Sequence, residues 1–331
     1  MAVIRIGVAG VGRLGALHAA RLREIAGVEL AGVFDVNQQR ARQVAAEHGT
    51  RAFATLPELL ASCEALTIAV PTSEHFATAQ VALQAGRHVL IEKPVTATSA
   101  QARQLIALAQ AHNLILQVGH IERFNGALRA LAGFPLAPRF IESHRMASFD
   151  PRGTDVAVVL DLMIHDIDII LNLVRSTLTR VDANGVAVVS HEPDIANARL
   201  QFANGCVANV TASRISQKKM RKLRLFQRDA YISVDFLQGF SEIFRLTAPE
   251  ESVPGQAFPL VLGRLDQGAR PRQIIYEKRE APEGNALRLE LESFARAIRG
   301  EAPPPVTGED GLRALEVASA ITEMIKAEPP A

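Results

Sequence analysis

The sequence predicts an α/β protein that begins with a doubly wound parallel sheet and continues into a C-terminal α/β domain with a large open mixed sheet. Residues 3–118 alternate short apolar runs with stretches of helical periodicity, which is typical of a parallel sheet. From about residue 140 the pattern changes to successive strand-like runs. At 331 residues the chain is long enough for two domains. We predict a first domain at 1–120, a second at 121–305 and a final helix, 306–331, that returns to the first domain.

Each element follows from a local pattern. In the first domain, apolar β-branched runs predict strands at 3–8, 30–34, 51–54, 65–70, 88–91 and 114–118. Helical spacing predicts helices at 16–22, 38–48, 57–61, 76–85 and 99–112. In the second domain, alternation predicts strands at 141–146, 180–189, 195–202, 206–213, 223–227 and 230–235. Helices are predicted around 160–170, at 287–299 and at 311–326.

The composition indicates an ordinary globular protein, with 48% hydrophobic and 21% charged residues. The formal net charge of +1 predicts no bulk attraction to nucleic acid or to an anionic membrane. No apolar stretch reaches the roughly 18 residues of a membrane span, and the start of the chain lacks a signal-peptide pattern. Cys63 and Cys206 lie too far apart to indicate a disulfide framework or a metal site. We therefore expect a cytoplasmic, reduced protein without a metal centre.

A glycine-rich turn follows the first predicted strand, and a helix follows the turn. In this context Gly10 makes the turn, Gly12 lets the backbone approach a pyrophosphate, and Gly15 lets helix and strand pack closely. The helix N-terminus supplies amides to the phosphates. The alternative is a glycine turn that serves packing alone. We predict a Rossmann dinucleotide site whose phosphate-binding residues are Gly10, Gly12, Arg13, Leu14 and Gly15.

The second predicted strand ends in Asp35, which is followed by Val36. A carboxylate at this place accepts hydrogen bonds from the adenosine ribose and repels a 2′-phosphate, so NAD is favoured over NADP. Arg40 lies nearby and keeps NADP as the less favoured alternative. We assign Asp35, Val36 and Arg40 to the cofactor site.

Two later strand ends are predicted to border the same site, because ligands bind at the carboxyl ends of strands in an open parallel sheet. The first carries Val70, Pro71, Thr72 and His75, although His75 could instead cap the following helix. The second ends in Glu92, Lys93 and Pro94. Lys93 could be an ordinary exposed lysine. Beside a nicotinamide, its cation would polarise a substrate oxygen.

One apolar helical run in the second domain contains several ionisable residues. Asp161, His165 and Asp168 fall at i, i+4 and i+7, which places them on one face of an α-helix. A core histidine held by a carboxylate is the alternative. An imidazole that titrates near neutrality suits removal of a proton from a secondary alcohol while hydride leaves. Lys93 would stabilise charge on the same oxygen by roughly 3 to 4 kcal/mol, and Asp161 is favoured as a substrate contact.

The segment Ser213–Arg224 is strongly basic, and Arg152 precedes the helix with Asp161. These charges could belong to a solvated hairpin. They could also form a clamp for the pyrophosphate of a nucleotide sugar, recognised by arginine. Binding of nucleic acid through Lys218–Arg224 is a weaker option.

Taken together, these motifs resemble the glucose-fructose oxidoreductase, inositol dehydrogenase and rhizopine-catabolism (Gfo/Idh/MocA) family over nearly the whole chain. The resemblance rests on the glycine loop with Asp35, on Glu92-Lys93-Pro94, on Gly153 ahead of Asp161-x-x-x-His165, and on 305–311. It implies a Rossmann domain, an open sheet used in homodimers or homotetramers, and hydride transfer between NAD(P) and a sugar or polyol carbon. By position, Lys93 matches the family's active-site lysine, Asp161 its substrate-binding acid and His165 its usual general base.

Within the family, the chain looks like the branch that acts on nucleotide-activated amino sugars. In that branch the 3-hydroxyl of a UDP-N-acetylhexosamine is oxidised before transamination for lipopolysaccharide. The alternatives are a dehydrogenase of free inositol or a monosaccharide, and an NAD-binding sensor or corepressor without catalysis. The residues assigned to the substrate are His120, Arg123, Asn125, Arg152, Asp161, His165 and Arg214.

Overall fold

The structure, a computed structural model, describes residues 3–150, 156–249, 260–265, 271–281 and 283–327. The chain forms two compact units. The first contains the described residues up to Phe124 and those of 284–316; the second contains those of 125–283 and 317–327.

The first unit is built on a five-stranded parallel sheet with the strand order β2-β1-β3-β4-β5. Its elements are β1 Ile4–Ala9, α1 Arg13–Leu22, β2 Val28–Phe34, α2 Gln38–Glu47, α3 Leu56–Ser62, β3 Ala65–Ile68, α4 Thr72–Gln84, β4 His88–Glu92, α5 Ser99–Ala111 and β5 Leu116–Gly119. This order confirms the predicted doubly wound sheet. The strand predicted at 51–54 is reduced to one bridge between Ala52 and Val33.

Side-chain caps fix where several of these helices begin. Asn37 precedes α2 and Thr98 precedes α5, and each accepts the amide hydrogen of the residue three positions on. Thr55 and Glu58 form a reciprocal capping box at α3. Each cap satisfies an amide that would otherwise lack a partner within its helix.

The second unit is built on a large mixed sheet, as predicted, and the sheet has nine strands among the described residues. After a 3₁₀ turn at Ile121–Phe124, its elements are α6 Gly126–Arg129, β6 Phe140–Met146, a π turn at Val159–Met163, α7 Ile164–Val174, β7 Leu178–Val186, β8 Ile195–Phe202, β9 Val207–Ser213, β10 Met220–Phe226, β11 Ala230–Asp235, β12 Phe240–Thr247, β13 Leu260–Leu265 and β14 Arg272–Glu280. The order is β13-β14-β12-β11-β10-β6-β9-β8-β7, and among these described strands only β6 and β9 pair in parallel.

Three of these strands, β12, β13 and β14, lie where the sequence patterns predicted none. The edge strand β13 is exposed at nearly every position, so it has no buried face that would require apolar and polar residues to alternate. The other two intersperse charged residues with the apolar ones. The strands β12, β13 and β14 are defined by hydrogen bonds to neighbouring strands, and a local sequence pattern does not show such bonds.

The chain returns to the first unit at Gly284, earlier than the boundary at 306 that we placed from the sequence. The cause is the apolar face of α8, Ala286–Ile298. Leu287, Leu291 and Phe294 belong to the same buried core as the strand β1. The last helix, α9 Gly308–Ala327, begins in the first unit, and its residues from Val317 onward belong to the second. Among the described residues, none of the helices is long and apolar enough to cross a membrane.

Candidate active site

The three glycines after β1 have different surroundings. Gly10 has a φ of +80°, and a Cβ there would lie 2.8 Å from the carbonyl carbon of Ala69. A Cβ on Gly15 would lie 1.8 Å from the Gly10 carbonyl oxygen. At Gly12 a Cβ would meet nothing within 4 Å. Gly10 and Gly15 are therefore required by the fold, whereas Gly12 leaves open space at the start of α1.

Within the described part of the chain, the N-terminus of α1 receives no side-chain cap, in contrast to α2 and α5. Arg13 and Leu14 of its first turn are exposed. Helix amides without a cap and open space at Gly12 together make a cradle for an anionic group. The loop thus fits the pyrophosphate of a dinucleotide.

Asp35 lies directly after β2 and holds the glycine loop. Its carboxylate accepts hydrogen bonds from the amides of Val11 and Asn37, both at 2.8 Å. Arg40 donates from Nε to the carbonyl oxygen of Val11 at 2.9 Å. Asp35 therefore binds the amide of Val11 and Arg40 binds its carbonyl oxygen, and Val36 beside them is 90% exposed.

His75 lies in the first turn of α4, behind the Val70-Pro71-Thr72 turn. Its side chain is buried, with Nδ1 2.8 Å from the carbonyl oxygen of Pro94 and Nε2 3.0 Å from that of Val70. Burial lowers the pKa of His75, although the carbonyls of Pro94 and Val70 and the charge of Glu92 oppose the effect. The ring thus contacts the chain's own backbone.

Glu92 ends β4, and its carboxylate is enclosed by the protein. Oε1 lies 3.0 Å from Nε2 of His18, which is fully buried in α1, and Oε2 accepts the amide hydrogen of Lys93 at 3.3 Å. A Cβ on Gly119 would lie 3.0 Å from this carboxyl group. His18 and Gly119 were not among the predicted site residues. The sequence signal available for His18 was a histidine on the buried face of α1.

In the second unit, Asp161 lies within the π turn and His165 in the first turn of α7, both half-buried. The α-helix predicted around 160–170 therefore begins only at Ile164, after the π turn. Asp168 is 1% exposed and belongs to the core. A π turn contains one residue more than an α turn and is frequent at functional sites.

A buried ion pair fixes α7 to the sheet. Arg145 of β6 donates from Nε and Nη2 to the two carboxylate oxygens of Asp166, at 2.8 and 3.0 Å, and both side chains are 2% exposed. Asp166 is the residue after His165. This bidentate contact sets the position of the helix that carries His165.

Arg214 follows β9 and is also buried. It donates from Nη2 to the carbonyl oxygen of Val156, and its Nε lies 3.7 Å from Asp194. Burial alone would raise the pKa of Asp194, but hydrogen bonds from the amides of Val189, Val188 and Ser190 and from the Ser190 hydroxyl outweigh it and lower the pKa to about 2. This network holds the segment that precedes the π turn.

Other predicted substrate residues also have roles within the fold. Arg123 donates to the carbonyl oxygen of Pro305 at 3.1 Å and lies 3.5 Å from Asp310. Asn125 caps α6 through its Oδ1. His120 is buried. The predicted Arg152 and Gly153 lie outside the described residues.

The basic segment is partly paired on the face of the nine-stranded sheet opposite the buried Leu223 and Leu225, which we call the outer face. Lys222 lies 3.2 Å from Asp235, and Arg224 lies 3.5 Å from Glu142. Lys218 is exposed. Part of the basic segment therefore forms ion pairs within the sheet.

Comparison with known proteins agrees with this architecture. Residues 4–120 match the oxidoreductase family with an NAD-binding Rossmann fold, and 126–233 match the GFO/IDH/MocA C-terminal domain. The chain is 42% identical over 326 residues to a UDP-N-acetylglucosamine 3-dehydrogenase of Acidithiobacillus ferrooxidans, covering 98% of each protein. It is 27% identical to a myo-inositol 2-dehydrogenase of Thermotoga maritima, covering 94% of this chain and 93% of that protein.

A solved structure of the UDP-N-acetylglucosamine 3-dehydrogenase from Acidithiobacillus ferrooxidans superimposes with a TM-score of 0.86 at 40% identity. The alignment covers 99% of each chain. Fold, glycine loop and sequence similarity lead to one conclusion: the chain belongs to the Gfo/Idh/MocA family and is an NAD-binding oxidoreductase.

Proposed function

We propose that the protein oxidises the 3-hydroxyl group of a UDP-N-acetylhexosamine with NAD. The observation that carries this proposal is the 42% identity, over 98% of both chains, to a relative named UDP-N-acetylglucosamine 3-dehydrogenase. The relatives named for inositol have lower identity over the full chain, as in the 27% case. A dehydrogenase of free inositol or a monosaccharide is the second candidate.

The first unit offers residues that fit the cofactor. The uncapped amides of α1 and the open space at Gly12 would hold its pyrophosphate, and Asp35 would bind its adenosine ribose. Bound NAD supplies the hydride acceptor of the reaction. Arg40 binds the loop backbone through Nε.

The proposed chemistry uses three side chains. His165 removes the proton of the reacting hydroxyl while the carbon gives up its hydride, so the products are a ketone and a protonated imidazole. Lys93 donates a hydrogen bond to the same oxygen and stabilises its developing charge. Asp161 binds a neighbouring substrate hydroxyl. His165 then releases its proton to water.

The test is a comparison of substrates at saturating NAD. We expect NADH formation with UDP-N-acetylglucosamine and none with N-acetylglucosamine, glucose or myo-inositol. Turnover with the unphosphorylated compounds alone would replace this proposal by the second candidate. Tight NAD binding without turnover of any of them would favour a sensor or corepressor.

We also propose that the protein is a cytoplasmic homodimer or homotetramer that associates through the outer face of the nine-stranded sheet. A row of five half-buried aromatic side chains crosses this face, and successive ring centroids lie 5.5, 5.0, 5.5 and 5.1 Å apart. The row consists of Phe140, Phe226, Tyr231, Phe244 and Tyr276. Large aromatic surfaces of this kind are enriched at interfaces. Light scattering at micromolar concentration tests the proposal, and a monomeric mass would contradict it.

A further inference from the structure

The imidazole of His75 spans the ends of two neighbouring strands. Nδ1 lies 2.8 Å from the carbonyl oxygen of Pro94, the residue after Lys93, and Nε2 lies 3.0 Å from the carbonyl oxygen of Val70, just beyond β3. The side chain is 1% exposed. His75 therefore links the loop that carries Lys93 to the loop after β3.

Only one of the two carbonyl oxygens can accept a hydrogen bond from a neutral His75 ring. A neutral imidazole has a single N–H, and a carbonyl oxygen only accepts hydrogen bonds. Burial lowers the pKa of His75, which favours the neutral ring near neutral pH, while the two carbonyls and Glu92 oppose this shift. Only one of the two contacts is then a hydrogen bond. The shorter one, to Pro94, corresponds to the tautomer with its proton on Nδ1.

The backbone on the other side of Lys93 is held as well. Its amide donates to Oε2 of Glu92 at 3.3 Å, and the other oxygen of this carboxylate contacts the buried His18 at 3.0 Å. The Lys93 amide is thus fixed by Glu92, and the carbonyl group of the following residue, Pro94, is fixed by His75. Two contacts across so short a segment restrict the direction in which the lysine side chain leaves the backbone.

We propose that His75 is a positioning residue for Lys93 and acts through an Nδ1–H hydrogen bond to the Pro94 carbonyl. The proposal rests on the proposed role of Lys93 in substrate oxidation. It assigns His75 a different task from the cofactor contact that the sequence suggested. A displacement of about 1 Å in a catalytic group can reduce the rate by about a hundredfold.

Two substitutions separate the contacts of the ring. The side-chain nitrogen of asparagine replaces Nδ1, and that of glutamine replaces Nε2. In His75→Asn the bond to Pro94 is kept, and we expect kcat within about fivefold of the wild type. In His75→Gln it is lost, and we expect kcat to fall by about 10- to 100-fold, with KM and the Kd of NAD changed by less than about threefold.

His88 provides a matched control at the opposite end of β4. It is a partly buried histidine whose Nδ1 accepts the amide hydrogen of Ile115 at 3.0 Å. His88→Gln should lower the melting temperature without a selective loss of kcat. Equal losses of kcat in His75→Asn and His75→Gln, or a loss confined to NAD affinity, would overturn the positioning role.

A second readout needs no turnover. Nitrogen-15 NMR of histidine-labelled protein without ligand should show His75 neutral with its proton on Nδ1. A proton on Nε2 would overturn the inference, whatever the activity. If the wild type failed to oxidise UDP-N-acetylglucosamine while the Nδ1–H tautomer was present, the proposed substrate would fail and the hydrogen bond to Pro94 would stand.

Discussion

At the scale of single residues, we propose that the chemistry depends on His165 and that the preference for NAD depends on Asp35. Both positions follow from sequence patterns, because each pattern is local: a strand end, or a histidine in an apolar helical run. The contacts that hold such residues are not local. His18 and Glu92 lie 74 positions apart, and no short window of sequence connects them.

Replacement of His165 by alanine removes the proposed general base. We expect kcat to fall by about 10² to 10⁴-fold, the usual contribution of such a group, with the Kd of NAD unchanged. Steady-state kinetics and calorimetric NAD titration measure the two quantities. His191→Ala is a suitable control, because His191 is an exposed histidine of the same unit. Full activity of His165→Ala would exclude His165 as the base.

Replacement of Asp35 by alanine removes a carboxylate that accepts the Val11 amide hydrogen at 2.8 Å and that we propose repels a 2′-phosphate. We expect weaker NAD binding and a fall of about tenfold or more in the preference for NAD over NADP, since a charge-assisted hydrogen bond contributes about 1.5 to 3 kcal/mol. Fluorescence titration with each dinucleotide measures the ratio. Glu29→Ala, which replaces an exposed acid of β2, the strand that precedes Asp35, should leave the ratio unchanged.

At the scale of elements, the helix α7 owes its position to buried charges. Arg145 and Asp166 come from different elements, 21 positions apart, so the sequence identified the helix and not the arginine that holds it. The π turn was also missed, because hydrophobic periodicity does not distinguish one extra residue from a normal turn. The strands β12 to β14 were missed for a related reason, since their definition depends on neighbouring strands.

Removal of one partner of the Arg145–Asp166 pair leaves a charge buried without its counter-ion. We expect Arg145→Met to lower the free energy of unfolding by about 3 to 5 kcal/mol, and Arg145→Met/Asp166→Leu to recover much of this loss. Urea denaturation of the two variants gives the values. Arg180→Met breaks a solvent-exposed pair with Asp182 and should leave the midpoint unchanged. Additive losses in the double variant would contradict this account.

The loop before β8 should confer a defined dependence of stability on pH. The pKa of Asp194 is lowered to about 2 in the folded protein, below its ordinary value near 4. Its contribution to stability is therefore present above about pH 4 and is lost as the pH falls towards 2. Urea midpoints at pH 5 and pH 3 should differ less in Asp194→Asn than in the wild type. Ser190→Ala, which removes one donor, should give an intermediate difference.

At the scale of the whole molecule, the first unit is discontinuous in sequence. The sequence placed its boundary at residue 120 because the alternation of strands and helices ends there. The core continues into α8, where Leu287, Leu291 and Phe294 pack with the residues of β1. A local sequence pattern does not show which of the two units the apolar face of an amphipathic helix packs against.

A fragment of residues 1–120 should therefore fail to fold cooperatively. It lacks three large apolar side chains of its core, each worth about 1.5 to 3 kcal/mol when buried, against a usual total stability of about 5 to 15 kcal/mol. Circular dichroism during urea denaturation measures the transition. A matched fragment that joins 1–124 to 284–316 through a flexible linker should show one sigmoidal transition. A sharp transition in the shorter fragment would contradict the role of α8.

The π turn at Val159–Met163 makes the number of residues, as well as their identity, part of the proposed site. Each residue of an α-helix corresponds to about 100° of rotation around its axis. A π turn fits one extra residue into a turn, so deleting Leu162 to give a regular helix would leave the chain on either side nearly in place and would put Asp161 three residues before His165 instead of four. The angular offset between Asp161 and His165 would change while both side chains stayed the same.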